Sequence, residues 1–272
     1  VEPLKLTDDE LAFEGIVFGI KRYFQNMGNP KAILGVSGGI DSALVHALLV
    51  YALGKENVLT FSLPSEFSSP GSIEDVKQMV KVLGNPHQVI TMKFIHSAFR
   101  NLFEQKGFPL KGLSDENIQA RIRGLILMTL SNQTGGLVVN TSNKSEIAVG
   151  YSTLYGDSVG AIAPIGDLYK THVYELAKFV NTKMGKVIND EIFTKAPSAE
   201  LRLNQKDSDS LPDYAVLDPE LKSQIDRESF CNYNTAKHEF KRRQMPLIFK
   251  LSRRAFGIGR RYPIQHFYKG SV

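Results

Sequence analysis

Gly35-Val36-Ser37-Gly38-Gly39-Ile40-Asp41-Ser42 (GVSGGIDS) stands between a short apolar run, Ala32 to Val36, and a helical pattern, Asp41 to Leu53, that stops at Gly54. Strand, glycine turn and helix in that order make an anion cradle. Ser and Gly let backbone N–H groups turn toward a phosphate at the helix N-terminus, where the helix dipole adds attraction. Asp41 is the odd member, because a carboxylate beside a phosphate repels it unless a divalent cation lies between. It therefore reads as a magnesium ligand. The Walker pattern G-x-x-x-x-G-K-[ST] is absent, and no G-x-G-x-x-G follows the strand, which argues against kinase-like and dehydrogenase classes. Ser-Gly-Gly alone would serve equally as a tight turn capped by Asp41. The flanking strand and helix, with Asp41 and Ser42 in place, favour the phosphate reading.

Outward from this loop, strand and helix patterns alternate. Phe13, Ile16, Val17, Ile20, Phe24 and Met27 recur at helical spacing after the acidic turn Asp8-Asp9-Glu10, predicting an amphipathic opening helix. Val58 to Leu63 is a second strand, Ser72 to Asp75 resembles a capping box opening a helix to Leu83, and Gln88 to Met92 is a third strand. Helices over Ile95 to Gln105 and Glu116 to Thr134 precede a fourth strand, Leu137 to Asn140. A further helix covers Thr171 to Lys183, and Asn204 to Pro212 reads as a polar, mobile loop. Such alternation predicts an α/β fold: a doubly wound, mainly parallel sheet of four or five strands with helices on both faces. No composition break marks a second domain, so residues 1–272 are expected to form one.

The 272 residues, 42% hydrophobic and 22% charged, suffice for a large core and exclude disulfide-stapled and wholly disordered classes. Cys231 is the only cysteine, so an internal disulfide and a multi-cysteine zinc site are excluded and any metal must take oxygen or His ligands. No apolar stretch is long enough to span a bilayer and no leader opens the chain, so a cytoplasmic protein with no membrane partner is expected. The net charge of +5 raises nucleic acid as a partner. Nine of the 33 Lys and Arg but only one of the 28 Asp and Glu fall in residues 239–272. The excess is therefore local, which favours an anion site within a basic C-terminal segment over a generally basic surface.

The loop GVSGGIDS resembles the SGGxDS loop of the ATP pyrophosphatase family, whose members cleave ATP between the α and β phosphates, adenylate an acceptor oxygen and release pyrophosphate. Further along, Thr141 closes a strand at the sheet edge where open α/β sheets bind ligands, and Glu146 is placed to supply a second magnesium carboxylate. A helix cap at Thr141 or Ser142 with a solvated Glu146 is the alternative. Taken with Gly150-Tyr151-Ser152-Thr153-Leu154-Tyr155-Gly156-Asp157, these segments are similar to NAD synthetases over nearly the whole chain. Asn117-Ile-Gln-Ala-Arg121 matches that family's N-x-x-A-R helix, Ala163 to Thr171 its phosphate-lysine segment, and Lys195-Ala-Pro197-Ser198-Ala-Glu-Leu201 its K-x-P-[ST]-A-x-L segment. The run from Phe240 to Gln244, with Ala255 to Ile264, resembles the end of the glutamine-dependent members.

The resemblance implies an adenine nucleotide alpha hydrolase-like fold and amidation of deamido-NAD by ATP and ammonia, giving NAD, AMP and pyrophosphate. It implies ATP contacts at Gly35, Ser37, Gly38, Gly39, Asp41, Ser42, Thr141, Lys170 and Ser198. Deamido-NAD would meet Asn117, Arg121, Glu146 and Lys241, and magnesium would lie on Asp41 and Glu146. Asp41 and Lys170 would act on the phosphates, and Asp157 is the candidate for orienting ammonia. Tyr151 and Tyr155 are candidates for stacking on a base. A homodimer is also implied. Ala161 and Phe240 replace an Asp and a His of the small ammonia-dependent members, and Asn140 replaces a small residue. The nitrilase-like amidase of the glutamine-dependent members has no counterpart in these residues, and Cys231 lacks a nucleophile's surroundings. Together with Val1 in place of Met, this suggests the synthetase portion of a longer chain, with ammonia taken free or delivered by a separate or missing glutaminase domain. Rival readings are another adenylating pyrophosphatase, such as a GMP-synthetase-like domain, and a nucleic-acid module using the basic tail.

Overall fold

The structure, a computed structural model, describes residues 6–226 and 238–256. Its centre is β1 (Ala32–Gly35), which pairs in parallel with β2 (Val58–Ser62) and β4 (Leu137–Val138), while β2 pairs with β3 (His87–Val89). The sheet order is β3-β2-β1-β4, and a two-stranded parallel sheet, β5 (Ile162–Ala163) and β6 (Leu247–Ile248), lies beyond it. A parallel bridge between Val139 and Ile162 joins the two, so the strands run continuously in the order 3-2-1-4-5-6. The order reverses between β1 and β4, and such a reversal opens a crevice at the carboxyl ends of the strands.

Side chains of β1 alternate across the sheet, yet both sets are buried. Ala32 and Leu34 join a core built by α1 (Asp8–Asn26), α2 (Ile40–Leu53), α3 (Pro70–Leu83) and α7 (Lys170–Met184). Ile33 joins a smaller core on the other face, where Ile126, Leu127 and Leu130 of α5 (Leu113–Thr134) pack. A strand covered on both faces must be apolar throughout, which explains the unbroken run AILG. α1 starts where the acidic turn predicts: Thr7 accepts from the Glu10 N–H, and Glu10 returns a bond to Thr7. α4 (Lys93–Gln105) flanks α5, with Asp115 bonding both Arg100 and His96.

Several predicted boundaries differ: β3 ends at Val89 and not Met92, β4 at Val138 and not Asn140, and α5 begins at Leu113 and not Glu116. α3 begins at Pro70, one residue after its cap Ser69, whose hydroxyl accepts from the Ser72 N–H. Pro at the first helical position, where a missing N–H costs nothing, decides the start. The segment read as a mobile loop, Asn204 to Pro212, contains a 3-10 turn, Asp207–Asp209, and places Asp207 in the interior. Among residues 238–256, β6 extends the sheet and Phe256 is fully buried in a core shared with Ile147, Leu217 and Leu221. Cys231 and the chain after Phe256 lie outside the described residues.

Candidate active site

α2 opens at Gly39 with no side-chain cap, which leaves its first-turn N–H groups for an anion. The loop before it is held from within: Ser42 Oγ lies 3.2 Å from Ser37 N and 3.2 Å from Ser37 Oγ, and donates to the Gly39 carbonyl at 3.1 Å. Gly38 has φ +81°, and a Cβ there would meet the Ser72 carbonyl oxygen at 2.5 Å and Ser72 Cα at 2.8 Å. Only glycine fits. The Gly38→Ala variant is expected to lose about 1–3 kcal/mol to backbone strain alone and to weaken ATP binding by displacing the loop. Thermal unfolding and ATP titration would show both, and an unchanged ATP affinity would contradict the assignment of this loop.

The loop after β4 faces this cradle across the crevice. Asn143 caps α6 (Lys144–Val149): its side chain accepts from Glu146 N at 3.0 Å, and Glu146 Oε2 accepts from Asn143 N at 3.3 Å. The same Asn143 donates its Nδ2 to Asp41 Oδ1 at 2.9 Å. Lys170, the first residue of α7, has its N–H held by Ser145 Oγ at 2.9 Å, and Asp218 of α9 (Tyr214–Asp226) accepts from the next N–H. Its ammonium pairs with Asp41 Oδ2 and lies 3.5 Å from Glu146 Oε1. Asp207 closes the group, accepting from Tyr151 Oη at 3.3 Å and Tyr214 Oη at 3.1 Å.

Three carboxylates thus face one ammonium. Burial works against the charge on Lys170, but Asp41 and Glu146 outweigh it and hold its pKa above the ordinary lysine value. Burial and then Asp41 push Glu146 up to about 8, with Lys170 opposing. The repulsion among Asp41, Glu146 and Asp207 that raises Glu146 is what a divalent cation beside a phosphate cradle would relieve. Magnesium takes one or two protein carboxylates and completes its shell with water and phosphate oxygens, and Asp41 and Glu146 are the pair that would hold it.

A second cluster forms on the loop at residues 150–158. Asn117 Oδ1 accepts from Thr153 Oγ1 at 2.7 Å, Arg121 Nε donates to the Leu154 carbonyl at 3.2 Å, and Lys241 Nζ donates to the Gly150 and Ser152 carbonyls at 2.7 and 2.6 Å. Asp157 Oδ1 accepts from Thr153 N at 2.6 Å. Its carboxyl is crowded by protein yet opens to solvent. Burial pushes its pKa up to about 6 against the pull of the Thr153 N–H. Asn140, the unusual residue before Thr141, braces this loop from below with Nδ2 bonds to the Asp157 and Val159 carbonyls at 2.7 and 3.1 Å.

The predicted residues therefore fall into two groups, Ser37, Gly38, Gly39, Asp41, Ser42, Glu146 and Lys170 in the first and Asn117, Arg121, Asp157 and Lys241 in the second, joined by Tyr151, whose N–H bonds the Glu146 carbonyl at 2.9 Å and whose hydroxyl bonds Asp207. Thr141 is half-buried between β4 and Asn143. Ser198 is exposed, and its hydroxyl accepts from Glu200 N at 3.1 Å, not from the phosphate loop. Tyr155 is 68% exposed with φ +62°, free to stack, whereas Tyr151 is bound to Asp207. The basic run after residue 239, read as counter-charge for phosphate, partly turns inward. Arg242 is buried, donating to the Glu239 carboxylate and to the Ala148 carbonyl. Asn143 and Asp207 are absent from the predicted set. Asn143-Lys-Ser-Glu146 has capping-box spacing and was legible, whereas Asp207 lies in a polar stretch with no local signal.

Residues 12–255 match the family model for NAD synthase. A glutamine-dependent NAD(+) synthetase of Synechocystis is 43% identical over 282 residues, covering 96% of this chain and 50% of the relative. The chain spans about half the length of the curated relatives it matches. Among solved structures, the glutamine-dependent NAD+ synthetase of Acinetobacter baumannii in complex with ADP superposes with a TM-score of 0.69 at 35% identity, over 97% of this chain and 51% of that one. An NMN synthetase of Francisella tularensis does so with a TM-score of 0.73 at 26% identity, over 89% and 98%.

Proposed function

The chain belongs to the NAD synthase family, and from that premise we propose that it carries out the ATP-dependent amidation of deamido-NAD to NAD. The observation that carries this reading is the convergence, in one crevice, of an uncapped phosphate loop, the Asp41–Lys170–Glu146 group and the cluster around residues 150–158. Adenylation needs charge neutralisation more than a protein nucleophile. The nicotinate oxygen attacks the α-phosphorus of ATP, and the bond to the β-phosphate oxygen breaks. The loop amides and Lys170 hold the departing pyrophosphate. Magnesium, when bound, supplies further positive charge to the phosphate oxygens. Asn117, Arg121 and Lys241 orient the dinucleotide. Ammonia nitrogen then attacks the activated carbonyl carbon, AMP leaves, and the excess proton passes to a carboxylate. Asp157, ionised above about pH 6, is placed to take it.

The test supplies deamido-NAD, ATP, magnesium and ammonium and resolves the products. NAD with AMP and pyrophosphate is expected. ADP as product, or no NAD from any nitrogen donor, would overturn the reading. Glutamine in place of ammonium is expected to give NAD only where a glutaminase releases ammonia. The likeness to the NMN synthetase motivates a second reading, amidation of the deamidated mononucleotide, and the same assay with that substrate discriminates the two by their kcat/KM ratio.

A homodimer is part of the same proposal. α4 and α5 present Phe94, Ile95, Leu102, Phe103, Leu125 and Met128 to solvent, and exposed apolar side chains gathered on neighbouring elements mark interaction surfaces. A second copy of this chain is the occupant proposed here. Leu125→Asp combined with Phe94→Asp is expected to convert a dimer to a monomer in sedimentation velocity, and a wild-type monomer at micromolar concentration would refute it. Among the described residues no helix is long and apolar enough to cross a membrane.

A further inference from the structure

Arg123, one turn before the sheet-facing part of α5, has no role in the reading above. Its Nε donates to the Leu63 carbonyl at 3.1 Å, its one hydrogen bond among the described residues, and no carboxylate there comes within 4.0 Å. The other arginines in contact with acidic groups behave differently: Arg100, Arg202 and Arg242 each pair directly with a carboxylate. Burial pushes Arg123 down to about 10, with the charges of Glu200 and Asp157 opposing, so the guanidinium is a charged group at neutral pH held in a crowded place without a contact ion. A half-buried guanidinium with no carboxylate in contact is a ready donor for an anion.

The surroundings say which anion. β1 and β2 pair Gly35 with Phe61, and the Val36 N–H still bonds the Phe61 carbonyl at 3.0 Å. Leu63 follows β2 directly, as Val36 and the phosphate loop follow β1, so the Arg123 anchor lies at the same carboxyl end of the parallel sheet. Glu200 is fixed to the same floor. Its carboxylate accepts from Ser69 Oγ at 2.9 Å and Ser72 Oγ at 2.7 Å, and the Ser72 backbone is what Gly38 packs against. Asp157, on the third side, belongs to the dinucleotide cluster. Through the Leu63 carbonyl at the end of β2, and through the charge of Glu200 on the serines that Gly38 packs against, Arg123 is tied to the floor of the phosphate loop.

We propose that Arg123 is a second cationic contact for the ATP triphosphate, anchored through Nε on the Leu63 carbonyl and donating its terminal N–H groups to phosphate oxygens opposite Lys170. This rests on the reading that ATP occupies the loop at Ser37–Ser42. A planar fork held at one nitrogen suits two phosphate oxygens better than a lysine would.

The test is isothermal titration of magnesium-ATP into the wild type, Arg123→Gln and Arg123→Lys, with the KM for deamido-NAD measured alongside. Arg123→Gln is expected to weaken magnesium-ATP binding at least tenfold and Arg123→Lys by an intermediate factor, with the deamido-NAD KM within threefold of wild type. Wild-type ATP affinity in a folded Arg123→Gln protein would overturn the proposal, as would an effect confined to the deamido-NAD KM. Should Arg123→Gln fail to fold, Arg123→Lys is read by the same criteria. A wild type that binds magnesium-ATP but forms no NAD would refute the proposed reaction while the binding ratio still decides the Arg123 contact. A wild type that binds no ATP would refute both.

Discussion

Asp41→Asn is expected to abolish adenylation while leaving the fold in place. NAD formation and pyrophosphate exchange should fall by about 10²–10³ or more, the range seen when one preorganised electrostatic group is removed from a transition state. Three contacts make the effect large. Asp41 is the carboxylate paired with the Lys170 ammonium, the acceptor of the Asn143 Nδ2 bond at 2.9 Å, and one of the two oxygen ligands proposed for magnesium. In the variant the amide oxygen can still accept from Asn143, but its NH₂ then points toward the lysine ammonium. Lys170 retains Glu146 at 3.5 Å, so the stability loss should stay near the about 1–3 kcal/mol expected for a disturbed buried polar pair. Far-ultraviolet circular dichroism should match the wild type. Wild-type exchange of pyrophosphate into ATP would sink the role given to Asp41.

Lys144→Met is expected to be the most destabilising single change near the site. Lys144 is fully buried; its Nζ lies 2.8 Å from Asp167 Oδ1 and 2.8 Å from Ser252 Oγ, and 4.9 Å from the centre of the Tyr169 ring. Asp167 is buried too, and accepts from the Leu251 and Ser252 N–H groups at 2.8 and 2.6 Å and from Ser252 Oγ at 2.9 Å. Removing the lysine leaves this carboxylate without its counter-charge, which costs about 3–5 kcal/mol for a buried pair. For a domain of this size that lowers the unfolding midpoint by roughly 10 °C. Activity should fall as well, because Lys144 follows the cap residue Asn143 that holds Asp41. Lys144→Met with Asp167→Asn should recover part of the loss, since the unpaired charge is then gone. A deficit under about 1 kcal/mol in denaturant unfolding would contradict the account.

Lys144 shows where reading the chain stops. In Thr141-Ser-Asn-Lys-Ser-Glu146, between a strand end and a helix, nothing local says where this lysine goes. The tertiary structure turns it into the core, because Asp167 and Ser252 arrive from distant parts of the chain. Arg242 is a similar case: in a basic run it reads as solvated or phosphate-facing, and Glu239 with the α6 carbonyls draws it inside. Asp207 is the converse, a residue of a polar stretch that two tyrosine hydroxyls carry into the interior. α1, α2 and β1 were legible because their signals are local: apolar spacing, an acidic first turn, and Gly at the turn. α3 was misplaced by three residues because Ser72 mimics a cap that Ser69 and Pro70 supply.

What the amino-acid sequence determined by itself was the alternation of strands and helices and the glycine turn with its carboxylate, since these depend on residues close in the chain, and the alternation in turn implied a parallel sheet because strands separated by helices pair through crossovers. Which residues share the crevice was decided by the tertiary structure. The order 3-2-1-4-5-6 brings the loops after β1 and β4 face to face, and only that reversal lets Asn143, 102 residues away, bond Asp41 and lets Lys170, 129 away, pair with it. Charge followed the same division. Composition located the positive excess, but burial and the partners met across the fold settled which cations, like Lys144 and Arg242, stay paired inside.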